Sequence, residues 1–322
     1  MKFKLTVLAA AIAFSGTALA NGNNSDVEQN GFDNEATVSQ YTQGWGGNNS
    51  SSVTQDGVSN SATVQQRGWW GGNTSEISQE GLGNDADAFQ NGTNNSAELS
   101  QSGYFNTSDS QQIGNYNVLV VDQEGSKNTA STYQNGWNNY ANVSHDGFGN
   151  ASDVVQDGTR NIVDVLQDGT KHTSDITQSG FNNTASVDQG GISNDSVIVQ
   201  EGKQNVAEVL QRDLKNTSDI YQNGWDNFAS VDQSGLNNEA KINQTGIENV
   251  SEVTQSGYND LADSYQSGYG HTSTITQSAA SGFIGGLLSV ASNNATHVQL
   301  GMNNSATTTQ VGGGNVTNVY QH

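Results

Sequence analysis

From Ser25 onward the chain repeats one pattern of apolar and polar positions every 11 residues, Asn-x-Ala/Ser-x-Val/Ile-x-Gln-x-Gly-x-x. Asn, Ala/Ser, Val/Ile and Gln sit two residues apart, so in an extended chain all four point to one face. The alternate positions hold Asp, Ser, Thr, Glu and Asn, which suits a solvated face. Each unit therefore predicts one half-buried strand. After the Gln comes a polar residue and then Gly, as in Asn135-Gly136, Asp157-Gly158 and Ser179-Gly180, and this pair predicts a left-handed backbone position and a tight reversal.

The register is strict. From Gln79 to Gln277 the Gln position recurs in 19 consecutive units without an insertion or deletion, with His145 taking one place. Near the N-terminus four extra residues lie between Gln40 and Gln55, and two between Gln66 and Gln79. Both insertions carry Gly-Trp segments, Gly44-Trp45-Gly46-Gly47 and Gly68-Trp69-Trp70-Gly71-Gly72, which belong in turns. Gln277 and Gln299 are 22 residues apart, so the apolar stretch around 280–292, with Phe283-Ile284-Gly285-Gly286-Leu287-Leu288, reads as one degraded unit inside the frame. Gln310 and Gln321 complete the series.

Two architectures suit such strands, an antiparallel meander and a solenoid whose arches carry the chain between two sheets. The interior amides favour the solenoid. A buried amide without a partner costs roughly 2–7 kcal/mol, whereas stacked in register on an identical amide it is satisfied along the axis. Like residues meet only if units stack in parallel. The ladder is read as Gln79, Gln90, Gln101, Gln134, Gln156, Gln178, Gln200, Gln222, Gln244 and Gln266, with Asn84, Asn106, Asn128, Asn150, Asn194, Asn216 and Asn238. Between Ser152 and Ala229 the small position alternates in character with period 22, which gives two strands per coil. The expected fold is thus all-β, a two-strand-per-coil β-solenoid with parallel, in-register cross-β stacking and roughly 13 coils.

Lys2 and Lys4 precede an apolar run from Leu5 to Phe14 and then Ala18-Leu19-Ala20, which reads as a secretory signal peptide over 1–20, with the solenoid over 21–322. No later segment is long enough to span a bilayer as a helix, so membrane insertion is not expected. Without the two signal lysines the chain has 8 basic and 32 acidic residues, a net charge near −24, which makes nucleic acid a poor partner. Cys is absent, which excludes disulfides and thiolate metal sites. Pro is absent too, so no strand has an obligatory break in its hydrogen bonding.

A regular rod offers no cleft for paired-carboxylate chemistry, and no cofactor, metal site or catalytic residue is expected. His145, His172, His271 and His297 read as substitutions within the repeat, and no two have a spacing that converges on one metal. The first strand, with Ser25, Val27 and Gln29, and the last, with Asn315, Thr317, Val319 and Gln321, keep the full pattern where monomeric solenoids carry caps. Both ends are therefore expected to dock copies of the chain. Outward Asp153, Asp175 and Asp219 are candidate gatekeepers, since stacked carboxylates repel. Outward Tyr133, Val155, Val199, Tyr221 and Tyr265 are candidates for lateral contacts.

The recurring pattern, as from Asn216-Thr217-Ser218 through Gln233, resembles the curlin repeat of curli fibre subunits, and the resemblance spans essentially all of 21–322. It implies a structural subunit of an extracellular functional amyloid on the bacterial surface, supporting biofilm matrix and adhesion. It also implies a periplasmic chaperone, an outer-membrane secretion pore and a nucleator subunit as partners. The major subunit is expected over the minor nucleator, because the final strand keeps the pattern and carries no basic cluster. Alternative readings are a monomeric surface- or ice-binding solenoid and a polysaccharide-processing β-helix enzyme. The first would need Thr-x-Thr ladders on an outward face, and the second irregular loops that build a groove.

Overall fold

A computed structural model of the chain describes residues 22–42, 47–278, 282–284, 287–289 and 292–322. The signal peptide expected over 1–20 and most of the first Gly-Trp insertion lie outside the described residues.

Two compact units divide the chain, Met1–Gly149 and Asn150–His322. The first holds β1 (Asn24–Phe32), β2 (Glu35–Thr42), β3 (Ser50–Val58), β4 (Ser61–Gly68), β5 (Thr74–Leu82), β6 (Asp85–Thr93), β7 (Ser96–Tyr104), β8 (Thr107–Asn115), β9 (Val118–Ser126), β10 (Thr129–Trp137) and β11 (Tyr140–Phe148). Odd strands pair in one sheet and even strands in the other, each parallel to the strand two places on and residue for residue in register. The 26-residue and 24-residue steps Gln29–Gln55 and Gln55–Gln79 keep this register. The two N-terminal insertions are therefore taken up between strands.

The second unit repeats the arrangement with β12 (Ala151–Thr159), β13 (Ile162–Thr170), β14 (Thr173–Phe181), β15 (Thr184–Ile192), β16 (Asp195–Lys203), β17 (Val206–Gln211), β18 (Thr217–Trp225), β19 (Phe228–Leu236), β20 (Glu239–Ile247), β21 (Val250–Tyr258), β22 (Leu261–Tyr269) and β23 (Thr272–Ser278). Then come β24 (Gly282–Ile284), β25 (Leu287–Ser289), β26 (Asn294–Met302), β27 (Ser305–Val311) and β28 (Val316–Gln321). Counted over both units, 26 strands form coils of two, so the expected 13-coil parallel solenoid is the observed fold.

Inward positions pack as columns. Ile176, Ile198, Ile220 and Ile242 stack on one sheet, with Val165, Val187, Val209 and Val231 on the other, all essentially without solvent exposure. A fully buried Val or Ile contributes about 1.5–3 kcal/mol, and each coil has only two such positions. Stacking between coils must supply the rest.

The structure corrects two expectations. Gly does not make the turn. Strands run through it, as in the pairing of Gly180 with Gly202; it takes the expected positive φ, but the reversal comes two places later at a second left-handed residue, for instance Asn182 at φ 57°. Gly180 has φ +123°, and a Cβ there would lie 2.0 Å from the Gly202 carbonyl oxygen. Its role is close approach between coils.

The second correction concerns the degraded unit, which takes no place in the coil. β22 pairs with β26, and β23 with β27, each across a step of 33 residues, while β24 and β25 form a separate antiparallel pair. This stretch has Gly282, Ile284, Gly286 and Leu288 where the frame calls for Asn, Ala/Ser, Val/Ile and Gln. Stacked in place, it would leave the neighbouring Gln amides without a partner. Leaving it out keeps both amide rows continuous.

Candidate functional site

The ladder glutamines end the inward face of each strand. In the second unit Gln156 Nε2 donates to Gln178 Oε1 at 3.0 Å. The series continues through Gln200, Gln222, Gln244, Gln266, Gln299 and Gln321 at 2.8–2.9 Å. The facing row runs the same way from Gln167 through Gln189, Gln211, Gln233, Gln255 and Gln277 to Gln310. In the first unit one row joins Gln29, Gln55, Gln79, Gln101 and Gln123, and the other joins Gln40, Gln66, Gln90, Gln112 and Gln134.

All of these bonds have one direction. The second Nε2 proton goes to a main-chain carbonyl 16 residues earlier in most rungs, as Gln200 to Thr184 O at 2.9 Å and Gln222 to Val206 O at 2.9 Å. A carbonyl only accepts, so the amide has a fixed orientation. Every donor then points toward the C-terminal coils.

The Asn rows differ from the expected amide-on-amide stack. In the first unit Asn84, Asn106 and Asn128 follow one another on successive coils, and in the second Asn150, Asn194, Asn216 and Asn238 do so with His172 among them, but their bonds run to the main chain. Asn84 Nδ2 reaches Glu80 O at 3.0 Å and Gly103 O at 3.2 Å, and its Oδ1 accepts the Asn106 N–H at 3.0 Å. Asn106 and Asn238 repeat the arrangement. One methylene shorter than Gln, Asn reaches the arch backbone and ties it to the next coil. In the facing row some amide pairs do form, such as Asn227 Nδ2 to Asn205 Oδ1 at 3.0 Å.

Histidine reproduces this chemistry. His271 Nδ1 accepts the Asn304 N–H at 3.2 Å while Nε2 lies 3.2 Å from Ser267 O, the two bonds an Asn makes there. His172 Nδ1 likewise accepts from Asn194 N at 3.2 Å, and burial pushes its pKa down. Among the described residues no three His, Asp or Glu side chains are placed to hold a metal ion.

Edges and outward carboxylates complete the picture. Ser25, Val27 and Gln29 lie on β1, which pairs only with β3 among the described residues. Asn315 precedes β28, and Thr317, Val319 and Gln321 lie on it; among the described residues β28 pairs only with β26. Because a coil is two strands wide, β2 and β27 belong to these edges as well, which inspection of the terminal strands alone misses. Gln29 and Gln40 turn Oε1 outward at the first edge. At the other, Gln321 keeps a proton beyond its bond to Ser305 O at 2.9 Å. Asp153 and Asp175 are brought into register, and burial first, then Asp153 and Asp195, raises the Asp175 pKa. Asp219 stands apart from them, between Val197 and Lys241, and Lys241 bonds Glu239 at 2.6 Å. Tyr133 lies on β10 of the first unit; in the second, Val155, Val199, Tyr221 and Tyr265 share one outward row, with Thr177 between Val155 and Val199 and Asn243 between Tyr221 and Tyr265.

A family profile described as the curlin associated repeat matches residues 72–103, 92–125, 158–191 and 216–246. No curated protein matches the chain.

Proposed function

Starting from a chain that is built of curlin repeats and belongs to the curlin family, we propose that it is the major structural subunit of an extracellular curli-type amyloid fibre. It grows by stacking copies end to end. The single observation that carries this reading is the one-directional amide ladder. It leaves acceptors on Gln29 and Gln40 at one edge and a donor on Gln321 at the other, so a second copy docks as the next coil. Regular strands at both edges support this, because an unpaired strand edge templates another chain.

In this reading 1–20 directs export, and the chain crosses the periplasm with a chaperone and leaves through an outer-membrane pore. A nucleator subunit starts assembly at the cell surface, where the fibres serve biofilm matrix and adhesion. Asp153 and Asp175, stacked on one another, delay premature stacking, a part that Asp219 beside Lys241 does not share. The role is structural rather than enzymatic, in keeping with the family and the fold.

Fibre diffraction and seeding test the reading together. The purified chain, incubated alone, should give reflections near about 4.7 and about 10 Å, and a trace of preformed fibre should abolish the lag. A chain that stays monomeric for days, unmoved by seeds, sinks it. A monomeric surface-binding role has one observation in its favour: Thr272, Thr274 and Thr276 stack on Ser305, Thr307 and Thr309 as an outward hydroxyl array. The array ends after two rungs, where Glu252 lies beside Thr274.

A further inference from the structure

Near its C-terminal edge the apolar core of the second unit is crossed by a line of polar side chains. Ser264, His297 and Thr308 occupy the Val/Ile position on β22, β26 and β27. Ser251 Oγ on β21 donates to Ser264 Oγ at 2.8 Å, and Ser264 Oγ donates to Ser273 Oγ on β23 at 3.0 Å. Ser273 Oγ lies 2.8 Å from His297 Nδ1, and His297 Nε2 lies 2.7 Å from Thr308 Oγ1. The line passes from sheet to sheet at every step and ends on β27, the last strand of its sheet. Ser251, Ser264, Ser273 and His297 have no exposure to solvent.

The donor order fixes the state of the ring. Ser273 accepts from Ser264, so its own proton goes to Nδ1, and the neutral imidazole carries its proton on Nε2 and donates to Thr308. A second proton on Nδ1 meets the Ser273 proton. Accommodating it requires Ser273 to turn its own proton away from the ring and accept from Nδ1 as well as from Ser264, and places a charge where water cannot reach.

Among the described residues no compensating charge faces the ring. Facing His297 are Ala262, Ser264 and Gln266 of β22, Ser273, Ile275 and Gln277 of β23, Ala306, Thr308 and Gln310 of β27, and Thr317, Val319 and Gln321 of β28, none of them titratable. Asp263 and Tyr265 point outward from β22, as Tyr320 does from β28, and Asp260 and His271 lie at the arches. No Asp, Glu, Lys or Arg follows Asp263.

We propose that His297 is a pH-dependent latch on the C-terminal docking edge: the neutral ring ties β26 to β23 and β27, and protonation releases β26–β28 and withdraws that edge from templating. The templating clause rests on the fibre reading; the latch itself does not. Burial lowers the His297 pKa below the ordinary 6.5. The unfolded chain therefore binds the proton more readily, and the latch's contribution is complete above about pH 6.5 and lost as pH falls below it.

Hydrogen exchange on the full mature chain at about pH 7.5 and about pH 5, corrected for intrinsic rates, tests this. In the wild type, protection of β26–β28 should fall about tenfold or more at the lower pH while β14–β20 hold. In His297→Val, which restores the apolar position, β26–β28 should not respond. Equal loss in both proteins overturns the proposal. Should His297→Val fail to fold, imidazole NMR of the wild type decides. A ring that protonates while β26–β28 stay protected, or stays neutral down to about pH 4, overturns it. A chain that shows the exchange response but never forms fibres refutes the fibre reading and leaves the latch standing.

Discussion

Replacing Gln200 with leucine exposes what the ladder contributes. Gln200 is fully buried; it donates to Gln222 Oε1 at 2.8 Å and Thr184 O at 2.9 Å, and accepts from Gln178 Nε2 at 2.8 Å. Leucine fills most of the same space and makes none of these bonds. Gln178 is left with a buried proton and Gln222 with a buried oxygen, each worth about 1–3 kcal/mol. Added apolar burial offsets about 1–2 kcal/mol, so the net loss should be roughly 1–4 kcal/mol. Gln65→Leu is the control, since Gln65 points to solvent from β4 and a change there should stay within about 0.5 kcal/mol. Guanidinium unfolding followed by circular dichroism measures both. If Gln200→Leu unfolds at the same midpoint as Gln65→Leu, the amides do not hold the coils together and the ladder argument is wrong.

Gly180→Ala should cost at least about 3 kcal/mol, because its Cβ meets the Gly202 carbonyl oxygen and φ stays in the glycine region; an unchanged melting temperature contradicts the close-approach account. Ser174, Ser196 and Ser218 bury hydroxyls that have no partner among the described residues, so Ser196→Ala should stabilise by about 1 kcal/mol, and a loss would mean that the hydroxyl is bonded. Asp175 has its pKa raised by burial and by Asp153 and Asp195, so the folded state binds the proton more readily and stability rises as pH falls through that range. Asp175→Asn should raise stability at neutral pH and weaken the acid response; an unaltered pH profile argues against a gatekeeper role.

The fold was legible because a period of two inside a period of 11 leaves little choice of architecture. Three features were hidden, each for a physical reason. The left-handed arch residue is Phe105, Tyr116, Arg160, Lys171 or Asn182 in different units; the stacked coils impose its conformation whatever the side chain. Spacing places Asn inward but does not say whether the nearer acceptor is the next amide or an arch carbonyl. The 22 residues from Gln277 to Gln299 fit the frame whether the middle unit is stacked or left out. Only the sheet assignment decides, since Gln299 stacks on Gln266. The line of hydroxyls through His297 was out of reach as well, because its members come from five strands and two different inward positions.

In the proposed fibre, bond direction and charge together set how two copies meet, and how acid changes the meeting. Two N-terminal edges brought together would set the Gln29 and Gln40 oxygens against their own kind, with Asp26, Glu28 and Glu35 alongside. A C-terminal edge brings the Gln321 donor from a stretch without Asp, Glu, Lys or Arg, so only the head-to-tail order satisfies both edges. Acid then acts in opposite senses. Protonating carboxylates whose pKa burial has raised, Asp87, Asp175 and Asp263, lowers the repulsion along the stack and speeds growth. Protonating His297 removes the edge that the next copy needs. Seeded elongation should therefore rise as pH falls from neutral, pass through a maximum and decline, whereas His297→Val should rise without the decline. If both proteins trace the same curve, growth does not depend on the state of the C-terminal coils, and the two edges are not the unequal partners that the amide direction makes them.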